Sequence, residues 1–175
     1  AKWDGATWSP LGSGVGGYAF TTVRALALDG VGNLYAGGEF LTAGGASANN
    51  VAKWDGAAWA PLGSGTNGTV YALALDGAGN LYVAGFSSAA WGAPVRSYAG
   101  SFDALAVQLS SSGALTWNSF FGSSGYEVAE GGALDASGNF YLSGYGDTTW
   151  GTPVQSYGGG TDDALAIKVG SNGTL

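Results

Sequence analysis

The 175-residue chain contains no cysteine, no histidine and no methionine. Without cysteine there is no disulfide framework from which the redox compartment of the protein could be inferred. Without histidine, the commonest general base and the commonest zinc ligand are both missing, which excludes Ser-His-Asp and Cys-His nucleophile systems. We therefore expect a protein that is not an enzyme and that needs no cofactor.

Charged residues are also scarce. The chain has 5 basic and 12 acidic residues, which gives a net charge of -7. A basic footprint for phosphate groups is missing, so nucleic acid is not an expected partner. No apolar run reaches the length that crosses a bilayer, so membrane insertion is not expected either. The surface must consist largely of small polar and aromatic residues, a composition that is common on secreted and cell-surface proteins.

What the chain does contain is repetition. Residues 25–35 return almost unchanged at 72–82, and a more divergent copy occupies 132–141, so that the unit recurs after 47 and then 59 residues. Such a unit is a supersecondary module that buries its apolar faces against its neighbours. We treat residues 1–175 as one repeat domain. Its units lie approximately at 1–22 (partial), 23–69, 70–127 and 128–175.

Both ends of the chain fall inside the repeat pattern. The first residues repeat at 52–56, and the last ones match 111–115, which continue into 116–121. We therefore expect this chain to be a fragment of a longer protein.

Each unit reads as four short strands, and the second unit shows them best. The expected strands are 70–76, 80–86, 103–110 and 115–121. Within them large side chains alternate with alanines, as in the segment 103–109. Both faces of the sheet are then apolar, one large and one small, which suits a sheet packed between two neighbours.

Four-stranded sheets stacked face to face around an axis are the blades of a β-propeller. The fold expected here is therefore all-β, a partial propeller of about three to three and a half blades. A β-solenoid is the alternative.

Two motifs carry a family resemblance. The motif Leu-Asp-x-x-Gly-Asn-x-Tyr followed by Asp-Ala-Leu-Ala-Val resembles the repeat of bacterial secreted β-propeller proteins. The motif Trp-Asp-Gly-x-x-Trp-x-x-Leu-Gly is similar to kelch-like repeats of bacterial surface proteins. The resemblance covers nearly the whole chain and implies a propeller fold and a bacterial source. It implies little about activity, because propellers host many functions.

Repeated aromatic residues are the candidate ligand-binding side chains, because aromatic faces beside Asp and Asn can stack on sugar rings. Their exact repetition equally suits structural packing, with the paired indoles facing each other across a hairpin. The candidates are Trp54, Trp59, Trp91, Tyr98, Trp150 and Tyr157.

Carboxylates offer weaker candidates. The turns at Asp29, Asp76 and Asp135 suggest calcium, but each has one carboxylate, so hairpin turns are the better interpretation and no metal is expected. Glu127 and Glu130 interrupt the third copy. Their i, i+3 spacing on a strand points them to opposite faces, which favours solvated structural carboxylates over a catalytic pair.

Taken together, these features predict a non-enzymatic interaction or scaffold module of the extracellular space or cell surface. Its partners would be other blades, copies of itself, or a protein or glycan ligand. Two alternatives remain open, a carbohydrate-binding lectin-type propeller and the non-catalytic part of a polysaccharide-active propeller enzyme.

Overall fold

The structure is a computed structural model that describes residues 1–175, and it contains β-strands and no helix. The expectation of an all-β chain is therefore confirmed. No helix long and apolar enough to cross a membrane is found in it.

Sixteen strands follow one another along the chain. They are β1 (Lys2–Trp3), β2 (Trp8–Ser9), β3 (Val15–Gly16), β4 (Thr22–Leu28), β5 (Leu34–Glu39), β6 (Thr42–Ala43), β7 (Ala46–Ser47), β8 (Val51–Trp54), β9 (Trp59–Pro61), β10 (Val70–Leu75), β11 (Leu81–Ser87), β12 (Asp103–Leu109), β13 (Leu115–Phe121), β14 (Glu127–Leu134), β15 (Phe140–Gly146) and β16 (Asp163–Val169).

The strands form three larger antiparallel sheets and two small ones. Sheet 1 has the order β4-β5-β8-β9, sheet 2 the order β10-β11-β12-β13, and sheet 3 the order β14-β15-β16. The opening hairpin is β1-β2, and a side sheet has the order β3-β6-β7. The four strands expected in the second unit are confirmed, with bounds that differ by one residue at most.

The side sheet was not expected from the sequence. It is built on a two-residue hairpin loop, Gly44 and Gly45, whose φ angles are 61° and 87°. Two successive glycines with positive φ are the signature of a tight hairpin turn. That signal was present in the sequence but is embedded in a segment of small residues.

Sheet 2 lies between the other two large sheets. Its large side chains, among them Leu105 and Val107, form a buried cluster with Tyr35 and Val51 of sheet 1. Its alanines, Ala104 and Ala106 among them, form a second cluster with the large side chains of sheet 3. The large side chains that sheet 3 contributes to this cluster are those of Phe140, Leu142, Ile167 and Val169. The expected packing of large face into small face is therefore confirmed.

The two outer sheets each leave a face uncovered. On sheet 3, Tyr141 is 41% exposed, whereas its repeat equivalent Tyr82 in sheet 2 is 2% exposed. On β4, an edge strand of sheet 1, Leu26 and Leu28 are 60% and 69% exposed. The stack thus presents a small face at one end and a large one at the other.

A bulge near the start of the first strand recurs in all three large sheets. Opposite each bulge lies a glycine, namely Gly38, Gly85 or Gly144. A Cβ atom at any of them would overlap a backbone carbonyl oxygen of the bulged strand. The repeated glycine is therefore required by close backbone approach.

Candidate functional site

Trp54 and Trp59 form an aromatic pair across the β8-β9 hairpin. The two residues are cross-strand partners with ring centroids 5.6 Å apart, and Trp3 and Trp8 form the same pair in the opening hairpin at 5.4 Å. The Trp59 indole N–H donates to the Leu11 carbonyl at 2.9 Å. The expected facing of the indoles is confirmed, and the bond from Trp59 to Leu11 joins the second repeat unit to the first.

Trp91 and Tyr98 belong to a loop that holds the outer strand of sheet 2. The Trp91 carbonyl accepts a hydrogen bond of 2.8 Å from the side-chain amide of Asn118. The ring of Tyr98 meets that of Phe120 edge-on at 5.6 Å. Both aromatic residues are half-buried and pack against the buried cluster between sheets 1 and 2, while Trp91 also lines a second, smaller cavity.

Trp150 and Tyr157 lie in the equivalent loop of sheet 3, where no outer strand is present. There the loop and β16 enclose an open cavity of about 660 Å³. Burial, together with the carboxylates of Asp163, Asp147 and Asp162, raises the pKa of Tyr157. Both residues of this predicted aromatic pair line the cavity.

A buried pair of carboxyl groups, Asp103 and Glu127, lies between sheets 2 and 3. Both residues are 0% exposed. A side chain at Gly122 would collide with Glu127 Oε2 and with Asp103 Oδ1, so these two oxygens lie next to each other on the same side of that glycine. The expectation of a solvated carboxylate is wrong for Glu127, because its side chain is buried and accepts hydrogen bonds from neighbouring segments.

The hydrogen bonds around the pair leave one oxygen without a partner. Glu127 Oε1 accepts from the Thr148 hydroxyl at 2.6 Å, and Glu127 Oε2 accepts from the Ser123 amide at 3.0 Å. Asp103 Oδ2 accepts from the Ala99 amide at 2.8 Å, whereas Asp103 Oδ1 has no hydrogen-bond partner.

Burial raises the pKa of Asp103 to about 6, and the neighbouring charge of Glu127 adds to the effect, against the opposing effect of Arg96. Ionisation is costly for a buried carboxyl group beside a second carboxylate, so Asp103 keeps its proton to a higher pH than an exposed aspartate does. Glu130, by contrast, is exposed, as expected from the sequence.

The sequence did not point to a second aromatic feature, a row of five half-buried rings at one end of the strands. Neighbouring ring centroids are 5.2 to 6.1 Å apart. The rings are those of Tyr71, Phe86, Phe102, Tyr126 and Tyr145.

Charged residues flank this aromatic row at the repeated bulge. The bulged residue is Arg24 in sheet 1, Tyr71 in sheet 2 and Glu130 in sheet 3. The Arg24 guanidinium lies 4.7 Å from the centroid of the Tyr71 ring. The residue at the bulge is therefore basic in sheet 1, aromatic in sheet 2 and acidic in sheet 3.

The three Asp-x-x-Gly-Asn segments form one type of turn. In each, one carboxylate oxygen of the Asp accepts hydrogen bonds from two backbone amides. The other accepts a hydrogen bond from the side-chain amide of the Asn four residues later, as in Asp135 with Asn139 at 2.7 Å. The Asn139 side chain is the main cause that lowers the pKa of Asp135, to about 2. The hairpin-turn interpretation is confirmed by this geometry.

Comparison with known proteins adds no further constraint, since no family model matches the chain and no curated protein matches its sequence.

Proposed function

We propose that the chain is part of a β-propeller of a secreted or cell-surface bacterial protein, and that it acts as a non-enzymatic interaction and scaffold module. Its partners are further blades or copies of itself. The support is the stacking of three antiparallel meanders, each placing its large face against a small face of the next. A β-solenoid is less well supported, because its coils pair parallel strands, whereas the strand pairs within these sheets are antiparallel.

The observation that carries this proposal is the pair of uncovered end faces. The Leu26 and Leu28 side chains project from one end of the stack, and the alanines of β16 together with Tyr141 form the other. Within the stack these two kinds of surface pack against each other. Complementary surfaces on opposite ends of one chain favour head-to-tail association.

Light scattering over a range of protein concentrations tests this association. We expect the average mass to rise with concentration. A lysine on either end face, as Leu28→Lys or Ala166→Lys, should hold the protein as a monomer, whereas Ala78→Lys in an exposed turn serves as the matched control. A wild-type mass that stays monomeric at every concentration would contradict the proposal.

The second candidate is a carbohydrate-binding propeller, favoured by the aromatic row with its tyrosine hydroxyls and flanking charges. A glycan array with the wild type and Tyr71→Ala tests it. Signals that depend on Tyr71 would support this candidate, and an array without signal would remove it. Nothing in the site geometry favours the third alternative, a part of a polysaccharide-active enzyme.

A further inference from the structure

A second cavity, of about 340 Å³, lies where the side sheet meets the connection from sheet 1 to sheet 2. We call it the polar pocket. Its lining residues are Tyr18, Leu41, Asn49, Asn50, the segment 64–67 and Trp91. All of them belong to connections between strands, and five separate connections contribute. Loops positioned by a rigid scaffold carry binding residues more often than strands do, which makes this cavity a candidate ligand site.

The wall formed by residues 64–67 is fixed by two asparagines with unusual backbone angles. Asn49 and Asn50 have φ angles of 39° and 71°, in the left-handed region that asparagine tolerates better than most residues. The Asn49 carbonyl accepts from the Thr66 amide at 2.9 Å, and the Asn50 side-chain amide donates to the Thr66 carbonyl at 3.0 Å. Both asparagines therefore hold this wall in place before a ligand binds, which lowers the cost of ordering it on binding.

Four polar groups of the lining have no hydrogen-bond partner in the protein. Asn49 uses its side-chain nitrogen to donate to the Ser64 carbonyl at 2.9 Å, which leaves its side-chain oxygen available. The side-chain oxygen of Asn67 and the hydroxyls of Tyr18 and Ser64 make no hydrogen bond within the protein either. Amide and hydroxyl groups between them donate and accept, which suits a ligand that is rich in hydroxyl groups.

Trp91 adds an indole N–H that the fold does not use. This group is buried and has no hydrogen-bond partner, whereas the indole N–H groups of Trp59 and Trp117 donate to backbone carbonyls at 2.9 Å. A buried donor without a partner is costly to the folded protein. A ligand oxygen that met this donor after a small rotation of the ring would remove that cost, so the unpaired N–H favours binding at this place.

The remaining features of the lining define the chemical class of the ligand. No charged residue lines the pocket, so nothing in it would balance a carboxylate, a phosphate or an ammonium group that became buried there. The Tyr18 ring is 46% exposed and offers an apolar face beside the polar groups. A pyranose ring presents both kinds of surface, because its C–H bonds form apolar patches while its hydroxyls donate and accept hydrogen bonds.

We propose that the polar pocket binds one neutral sugar unit, a hexose or an N-acetylhexosamine that carries no carboxylate or phosphate. Its volume lies at the lower end of the range of small-molecule sites, about 300–1,000 Å³, which suits a single ring better than a chain of rings. The inference goes beyond the scaffold role proposed above. It also differs from the sugar candidate at the aromatic row, because none of the five rings of that row lines the pocket.

Amide chemical shifts of the full chain, labelled with nitrogen-15, test the site directly. We would titrate it with the methyl glycosides of glucose, galactose, mannose, N-acetylglucosamine and N-acetylgalactosamine, to concentrations well above millimolar. We expect at least one of them to bind saturably and to shift the backbone amides of 64–67 and the indole N–H of Trp91. The resonances of the aromatic row, Tyr71 among them, should stay in place. Methyl glucuronide, which carries a carboxylate, should cause no comparable shift, because no cation lines the pocket.

Two variants in the lining and one beside it give the matched comparison. Tyr18→Ala removes the apolar face and should weaken sugar binding about tenfold or more. Trp91→Phe keeps a ring for packing but lacks the indole N–H, and should weaken binding about threefold or more. Phe20→Ala is the control and should bind like the wild type, since Phe20 is 87% exposed in the same connection as Tyr18 but does not line the pocket.

The melting temperature of each variant shows whether it still folds. The Tyr18 side chain is half-exposed and makes no hydrogen bond in the protein, so we expect Tyr18→Ala to fold as the wild type does. Trp91 packs against the buried cluster between sheets 1 and 2, so its replacement carries more risk. Ser64→Ala is the second variant for that case, because it removes one exposed hydroxyl of the lining and should also weaken binding about threefold.

The proposal is overturned if no neutral sugar of the panel shifts the amides of 64–67, or if Tyr18→Ala binds the sugar as well as Phe20→Ala does. Sugar binding that is lost in Tyr71→Ala but kept in Tyr18→Ala would assign the sugar to the aromatic row and would also overturn the pocket. A protein that assembles but binds no sugar leaves the proposed function standing. A protein that never assembles but binds a sugar here supports the pocket and contradicts the end-face association.

Discussion

Asp103 and Glu127 put a titratable contact inside the interface of sheets 2 and 3. Burial holds the pKa of Asp103 at about 6, above the ordinary value of 3.8, so the folded protein retains a proton that the unfolded chain loses. Stability that depends on this proton is fully present below about pH 4 and is lost as the pH rises through about 6. The charge of Glu127 raises this pKa further, and that of Arg96 lowers it.

Replacing Asp103 by asparagine should remove this dependence, because the amide can still accept from Ala99 and can donate to Glu127. We expect the wild type to lose about 1–2 kcal/mol of unfolding free energy between pH 4.5 and pH 8 relative to Asp103→Asn, after allowance for screening. Urea denaturation at several pH values measures it, with the exposed Asp162→Asn as control. The same dependence of stability on pH in the wild type and in Asp103→Asn would show that burial does not raise the pKa of Asp103.

The Asp29, Asp76 and Asp135 turns should fold without calcium. Each carboxylate already accepts hydrogen bonds from its own turn at both oxygens, and none has a second carboxylate in the turn to complete a calcium site. The melting temperature should be the same in EDTA and in millimolar calcium. A melting temperature that falls in EDTA and recovers with calcium, but not with magnesium, would contradict the turn interpretation.

Among individual residues, the sequence predicted the Asp turns correctly but did not predict the burial of Glu127. The turn residues act within a few positions of each other, so their pattern is local and readable. Glu127 occupies a place where the second copy has Gly68, and its environment is built by Asp103 and Thr148 from distant segments. The departure from the repeat was the available signal, but spacing along one strand could not reveal a partner on another sheet.

Within the sheets, the glycine opposite each bulge is the most demanding position. Gly85→Ala should lower the free energy of unfolding by about 2 kcal/mol or more, because a Cβ would overlap the Thr69 carbonyl oxygen. Gly77→Ala is the matched control, since nothing lies within 4 Å of a Cβ there, and should change stability by about 0.5 kcal/mol at most. Chemical denaturation compares the two. Equal effects would mean that the bulge adapts to a side chain.

The large face of sheet 2 should be equally sensitive to loss of volume. Leu105 is completely buried between sheets 1 and 2, so Leu105→Ala should destabilise the protein by about 2–5 kcal/mol. Leu73 is half-buried, and its truncation should have a smaller effect. Leu28→Ala, at a position 69% exposed, serves as the control. A loss below about 0.5 kcal/mol for Leu105→Ala would mean that this face is not packed as described.

At the element scale, alternation carried most of the information. Leu, Val and Ala alternate so regularly in 103–109 that both the strand and its two different faces followed from the sequence. The side sheet was missed because its strands have two residues each, too short for any period to be visible. Its hairpin glycines are a turn signal without a strand signal beside it.

For the whole molecule, the order of the stack sets the order of local stability. All seven residues of β12 are buried, whereas every residue of β1 and β2 is exposed. Regions with many buried contacts open only with the entire fold, and exposed hairpins open alone. Hydrogen exchange should therefore be slowest in β11 and β12, faster in the outer sheets and fastest in the opening hairpin.

Exchange measured by mass spectrometry on peptic fragments, corrected for intrinsic rates, checks this gradient. In Leu105→Ala the protection of β11 and β12 should fall while that of the opening hairpin, which has no contact with that cluster, stays as it was. Uniform protection across all three large sheets would mean that the units unfold as one body and that position in the stack does not govern stability.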